Sequence, residues 1–195
     1  MKGKTEMAIK VYIDQGHNPS SYNTGAEGNG YFEQDITYRI GILLNRYFEG
    51  NAEFVTRLSR PTPTTMLGTS NSTSLSARVS DANTWGADLF LSLHTNAAPT
   101  PTANGSECLV YSYEATVANA VARDILDQMT LITGLRDRGI IERPGLYVLR
   151  RTEMPAVVVE MGFITNPSDA ELLANSPNLF ALGIYRGVLR YYGLF

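Results

Sequence analysis

The chain has 195 residues, 44 % hydrophobic and 18 % charged, a balance that belongs to a globular domain and not to a disordered segment. Its formal net charge of −3 argues against a basic surface that holds nucleic acid, and no run approaches the roughly 18 apolar residues that a membrane span needs. A single cysteine, Cys108, excludes an internal disulfide and a thiolate-built metal cage.

Residues 1–10 are basic but lack the apolar stretch of a secretory leader; 1–7 read as an N-terminal extension and 8–195 as one domain. Residues 8–14 alternate β-branched and aromatic side chains and predict a first strand that ends at Gly16. After a Gly-rich loop, 33–48 set Ile36, Ile40, Leu43, Leu44, Tyr47 and Phe48 on one helical stripe, and 52–58 predict a second strand. The Pro-, Ser- and Thr-rich stretch 60–74 reads as a long surface loop. A helix follows over 74–85 with Leu75 and Val79 inward, then a buried strand over 88–93 and a fourth over 105–111. Residues 115–132 carry Ala118, Val121, Ala122, Ile125 and Met129 at helical spacing. The almost wholly apolar run 155–161 has the mark of a strand covered on both faces. Ser168 and Glu171 have capping-box spacing at the start of another helix, and 179–191 predict the last. Strands alternating with helices imply a single-domain α/β fold, a twisted, mostly parallel sheet with helices on both faces and a site at the carboxyl ends of the strands.

The only two histidines, His17 and His94, each follow a predicted strand directly, so the same sheet edge can bring them together. A catalytic zinc site takes three protein ligands, and two imidazoles with a carboxylate are a common set. Glu33, at the start of the first helix, is the best third ligand; it can equally be an acid favoured by the helix dipole. Glu27 and Asp35 are alternative ligands, and Asp14 is placed to orient a ligand or shape the turn. Glu160 sits at the end of the most apolar strand, where burying a charge costs several kcal/mol unless something compensates. Arg136, Arg138, Arg150 or Arg151 would do so in a salt bridge; a metal ion and its water would do so if Glu160 is a general base.

Several segments, in order over about 9–192, resemble the zinc-dependent N-acetylmuramoyl-L-alanine amidases of bacterial cell-wall turnover. They are Asp14-Gln15-Gly16-His17, Gly30-Tyr31-Phe32-Glu33, Ser92-Leu93-His94-Thr95-Asn96-Ala97 and the block from Pro155 through Glu160-Met161-Gly162-Phe163 to Pro167. Thr56-Arg57, Gly105-Ser106-Glu107 and Leu146-Tyr147-Val148-Leu149-Arg150 also fall where the family has similar stretches. The resemblance implies Zn2+ held by His17, Glu33 and His94, with Glu160 as the catalytic acid–base. It implies hydrolysis of the amide between the lactyl group of N-acetylmuramic acid and L-alanine. The substrate would be peptidoglycan or a muropeptide at the bacterial cell wall, with no nucleic acid partner, no membrane insertion and a monomer favoured. The setting would be that of an autolysin as a trimmed secreted domain, a mother-cell enzyme or a phage lysin.

Two positions depart from the family: Gln15 where it usually has proline and Asn18 where it usually has glycine, changes expected to alter the turn more than the ligand. Tyr111-Ser112-Tyr113-Glu114 runs almost directly into the next helix, which leaves no room for the inhibitory helix of some division-linked relatives. Asn96, Glu107 and Arg138 are candidates for substrate contact or for structural hydrogen bonds. Three rivals remain: a zinc carboxypeptidase or endopeptidase acting within the stem peptide, a wall-binding module with a degenerate centre, and a protein whose two histidines are structural.

Overall fold

The structure, a computed structural model, describes residues 8–195; the expected extension over 1–7 lies outside the described residues. In chain order, β1 (Ile9–Gln15) leads through the short hairpin β2 (Glu27–Gly28) and β3 (Tyr31–Phe32) into α1 (Glu33–Glu49). Then come β4 (Phe54–Leu58), α2 (Asn71–Trp85), β5 (Leu89–Asn96), β6 (Ser106–Val110) and α3 (Thr116–Thr133). The chain closes with β7 (Asp137–Glu142), α4 (Tyr147–Arg151), β8 (Ala156–Phe163), α5 (Pro167–Asn175) and α6 (Pro177–Tyr191).

The main sheet has the order β4-β1-β5-β8-β6-β7. β4, β1, β5 and β8 run parallel, whereas β6 is antiparallel to β8 and carries β7 parallel to itself. The most apolar strands, β1, β5 and β8, are therefore the inner ones, and the charged β7 takes an edge, where solvated side chains discourage further strand pairing. On one side of the sheet Val11, Ile13, Leu91, Leu93, Val157 and Val159 pack against α1, α3 and α6. On the other, Tyr12, Phe90, Leu109, Ala156 and Val158 pack against α2 and α4. The two-residue period of a strand then fixes the side on which Asp14, Ser92, His94, Glu107 and Glu160 emerge: all share the α2/α4 face.

Several elements differ from the sequence expectation for local reasons. Helix α2 starts at Asn71, because Ser70 and Thr73 form a reciprocal capping box inside the Ser/Thr-rich stretch. The stretch 60–74 is also no simple surface loop, since Arg60 at its start is buried. Helix α5 is capped by Asn166, which accepts from the Ser168 and Asp169 N–H groups with Pro167 at the first helical position, not by Ser168. β5 and β8 extend further than expected, so His94 lies within its strand and Glu160 is followed by three more strand residues. The hairpin, β7 and α4 had no strong periodic signal: the first and last are very short, and β7 mixes charge with a glycine.

Helices α3 and α6 meet without side chains between them at two glycines. A Cβ on Gly187 would lie 2.3 Å from Ile125 Cα, and one on Gly183 would lie 2.5 Å from Met129 Cα. Gly187→Ala is therefore expected to lower unfolding stability by about 1–3 kcal/mol in urea titrations, despite a helix-propensity gain of about 1 kcal/mol. Unchanged or increased stability would contradict this close approach.

Candidate metal centre

The turn after β1 is pinned from below before any ligand is considered. Arg78, only 1 % exposed, forms an ion pair with Asp14 and donates to the carbonyls of Gln15 at 2.7 Å and His17 at 2.6 Å. Ser92 Oγ donates to the other Asp14 oxygen at 2.7 Å. Burial alone would raise the Asp14 pKa, but the Arg78 charge and these hydrogen bonds outweigh it and hold the carboxyl below its ordinary value. Removing either member of such a buried pair costs about 3–5 kcal/mol. Thr37 Oγ1 donates to the Gly16 carbonyl at 2.7 Å, and Gly16 N–H donates to Leu93 O at 3.0 Å. Gly16 has no alternative, since a Cβ there would lie 2.5 Å from His94 Cε1. His17 itself adopts φ 70°, a left-handed conformation that this surrounding network must hold.

The two unusual residues of this turn are also built in. Asn18, fully buried, donates from Nδ2 to Leu67 O at 3.0 Å and accepts from Leu67 N–H at 3.1 Å. Gln15 Oε1 accepts from Arg60 N–H at 2.8 Å. Both side chains thus tie the turn to the segment after β4, leaving the His17 side chain free to face the cavity.

Around this turn three donor side chains converge. His17 Nε2 lies 3.1 Å and His94 Nδ1 3.0 Å from Glu33 Oε1, and the donor atoms of the three residues all lie within 4.8 Å of one another. The Glu33 carboxylate, 3 % exposed, also accepts from Thr95 N–H at 2.9 Å and Ala26 N–H at 2.8 Å. Burial raises its pKa, but the two imidazoles outweigh this and hold it well below the usual carboxylate range. Burial likewise opposes the charged form of His94, but Glu33 dominates and pushes its pKa up to about 9. Gly25, with φ 82°, closes the other side: a Cβ there would lie 2.8 Å from both Glu33 Oε2 and the His17 ring. At the far nitrogen of His17, Nδ1 lies 3.2 Å from Asn23 Oδ1.

Glu160 is paired across β5–β8 with His94 and across β6–β8 with Glu107. Its Oε2 is buried and has no hydrogen-bond partner. Burial, with the Glu33 and Glu107 charges against the opposing effect of His94, pushes its pKa up to about 7. None of the four arginines considered as compensators forms a salt bridge with it among the described residues: Arg138 instead binds Glu107 at 2.8 Å. Asn96 Nδ2 donates to the other Glu107 oxygen at 2.9 Å, so Asn96, Glu107 and Arg138 form one hydrogen-bonded group beside Glu160.

His17, His94 and Glu160 line one cavity of about 240 Å³ together with Leu109, Val158 and Tyr147. Glu27 and Asp35 are exposed and stand outside the cluster. Cys108 is buried in the core, which pushes its thiol pKa up and leaves it no access to the cavity. The donor set suits zinc: two imidazole nitrogens and a carboxylate, closely spaced, beside a cavity lined by Glu160, whose buried Oε2 has no hydrogen-bond partner. Sequence reasoning missed Arg78 and Asn23. Arg78 occupies an inward position of α2 beside Val79 and Ala82, a polar residue in an apolar stripe and hence detectable; Asn23, in a loop, carried no such mark.

The sequence and the fold are similar to known proteins. A family model described as N-acetylmuramoyl-L-alanine amidase matches residues 11–190, a span that includes His17, Glu33, His94 and Glu160. The chain is 35 % identical over 187 residues to N-acetylmuramoyl-L-alanine amidase LytC of Bacillus subtilis (strain 168), covering 93 % of this chain. It is 36 % identical over 182 residues to N-acetylmuramoyl-L-alanine amidase CwlM of Bacillus licheniformis, covering 92 % of this chain. It spans 35 % and 65 % of those relatives' own lengths. The crystal structure of an N-acetylmuramoyl-L-alanine amidase from Clostridium difficile 630 superposes with a TM-score of 0.86 at 30 % identity, covering 95 % of this chain and 97 % of that one. With the match running from β1 into α6 and the fold shared end to end, the chain belongs to the N-acetylmuramoyl-L-alanine amidase family.

Proposed function

We propose that the chain is a zinc-dependent N-acetylmuramoyl-L-alanine amidase that hydrolyses the amide between the lactyl group of N-acetylmuramic acid and the L-alanine of a peptidoglycan stem. The observation that carries this reading is the shared cavity: His17 and His94 of the donor cluster line it together with Glu160, a buried acid whose Oε2 has no hydrogen-bond partner and which forms no salt bridge among the described residues. His17, Glu33 and His94 would hold the metal, and Glu160 would handle the proton.

Bound there, zinc supplies Lewis acidity toward the scissile carbonyl and the attacking water. Glu160 accepts the proton of that water and delivers it to the nitrogen of the departing alanine, which cannot leave as an amide anion. A carboxyl with a pKa raised to about 7 is suited to both halves of this transfer at neutral pH. Glu107, held by Asn96 and Arg138, lies across β6–β8 from Glu160 and contributes to the raised pKa that favours the protonated state of Glu160 before the proton is delivered. Leu109 and Val158 give the same cavity an apolar lining.

Digestion of purified muropeptides tests the bond assignment: a new N-terminal L-alanine and an intact muramyl lactyl carboxylate are expected, whereas release of a free terminal amino acid would indicate a peptidase. His17→Ala and His94→Ala are expected to lose zinc in elemental analysis, and full retention by either would remove that residue from the ligand set. Glu160→Gln should keep its zinc while kcat falls by about 10²–10⁴-fold; near-normal turnover would exclude the acid–base role. Bound muropeptide with no turnover by the zinc-loaded wild type would instead favour a wall-binding module.

A pH dependence follows from His94, whose pKa rises from an ordinary 6.5 to about 9 beside Glu33. Because the folded value is the higher one, the charged His94–Glu33 pair stabilises the metal-free fold fully below about pH 6.5 and is lost as pH rises through about 9. Zinc competes with that same proton, so the rise in Tm on adding zinc should grow over this interval. A zinc-induced rise in Tm that does not change with pH would contradict His94 as a ligand.

A further inference from the structure

We propose that Asn23 is a positioning residue for the metal: it fixes the tautomer and aim of His17 and so sets how tightly zinc is held. The inference rests on the metal-binding reading above and assigns a role to a side chain outside the ligand set. An amide Oδ1 can only accept, so the 3.2 Å contact with His17 Nδ1 is a hydrogen bond only for a ring that carries a proton on Nδ1. The lone pair of a neutral ring is then on Nε2, the nitrogen that faces Glu33. A ring with the opposite tautomer would present a proton where a ligand atom is needed, and its Nδ1 lone pair would face the Oδ1 lone pairs.

Asn23 is itself held in place on three sides. Its N–H donates to Asn71 Oδ1 at 2.7 Å, its Nδ2 donates to Ser74 Oγ at 3.1 Å, and its carbonyl accepts from Asn18 N–H at 2.7 Å. With Nδ2 donating to Ser74 Oγ, Oδ1 is the end of the amide that points at His17. Asn71, Ser74 and Arg78 lie at helical spacing along α2, and Arg78 holds the His17 carbonyl while the other two hold Asn23. One helix face thus sets both the backbone and the ring of His17. Asn23 also tolerates the φ of 54° that this geometry demands better than most residues would.

The test is zinc affinity, measured by competition with a chelating dye, for the wild type, Asn23→Gly and Asn23→Asp, with the Tm of each metal-free protein alongside. Glycine removes the acceptor while allowing the left-handed backbone, and aspartate restores an acceptor at the same reach. Asn23→Gly is expected to bind zinc about 10–100-fold more weakly, and Asn23→Asp to bind as tightly as wild type or tighter. The metal-free Tm values are expected to differ too little to account for the loss. Wild-type affinity in Asn23→Gly, or an Asn23→Asp affinity as weak as that of Asn23→Gly, would overturn the assignment while leaving the metal site standing. A weak Asn23→Gly whose metal-free Tm collapses would also overturn it, in favour of a structural role. Absence of zinc binding by the wild type would instead remove the metal-binding reading, and this inference with it.

Discussion

The organisation of the molecule turns on one buried negative charge. Glu33 is the first residue of α1, yet its carboxylate does not point into solvent as an acid at a helix start commonly does; it turns inward, 3 % exposed, between two imidazole rings. Its salt-bridge partners among the described residues are the two histidines alone, and two backbone N–H groups supply the remaining hydrogen bonds. Removing a carboxylate from water costs several kcal/mol even in a relaxed protein interior, so a fold that retains this arrangement must hold its partners accurately. Gly16 and Gly25 show what that demands: at either position a Cβ would enter the space of the rings or of the carboxylate.

The same requirement accounts for the pinning beneath the cluster. Asp14, Arg78 and Ser92 form a buried polar group on the α2/α4 face of the sheet, directly under the His17 turn, and Arg78 spends its donors on backbone carbonyls of that turn. Gln15 and Asn18 fix this turn through hydrogen bonds to Arg60 and Leu67. The turn is restricted by side-chain contacts with a neighbouring loop, and the His17 ring lies beside Glu33 and His94.

Much of this was legible in the sequence because it follows from periodicity. The apolar runs at β1, β5 and β8, the stripe Ile36-Ile40-Leu44-Phe48 of α1 and the spacing of α3 report burial directly, and burial is what those elements share. The reversed direction of β6 and β7 was not legible, because strand composition reports burial and not orientation. Among the candidate residues, His17, Glu33, His94 and Glu160 drew attention through rarity or context, and the fold brings them to one place. The salt-bridge partners imagined for Glu160 fail for a reason of placement: Arg138 does reach this region, but Glu107 takes it first. Asn23 escaped notice because an asparagine in a Gly-rich loop looks like any turn residue until its hydrogen-bond partner is known.

The account as a whole requires a metal at the junction of β1, α1 and β5. Crystals grown with zinc and measured on both sides of the zinc absorption edge would give an anomalous difference map independent of any turnover assay. A single strong peak about 2.0–2.2 Å from His17 Nε2, His94 Nδ1 and a Glu33 oxygen is the predicted result. A map with no peak there, or with zinc bound only elsewhere on the surface, would contradict it.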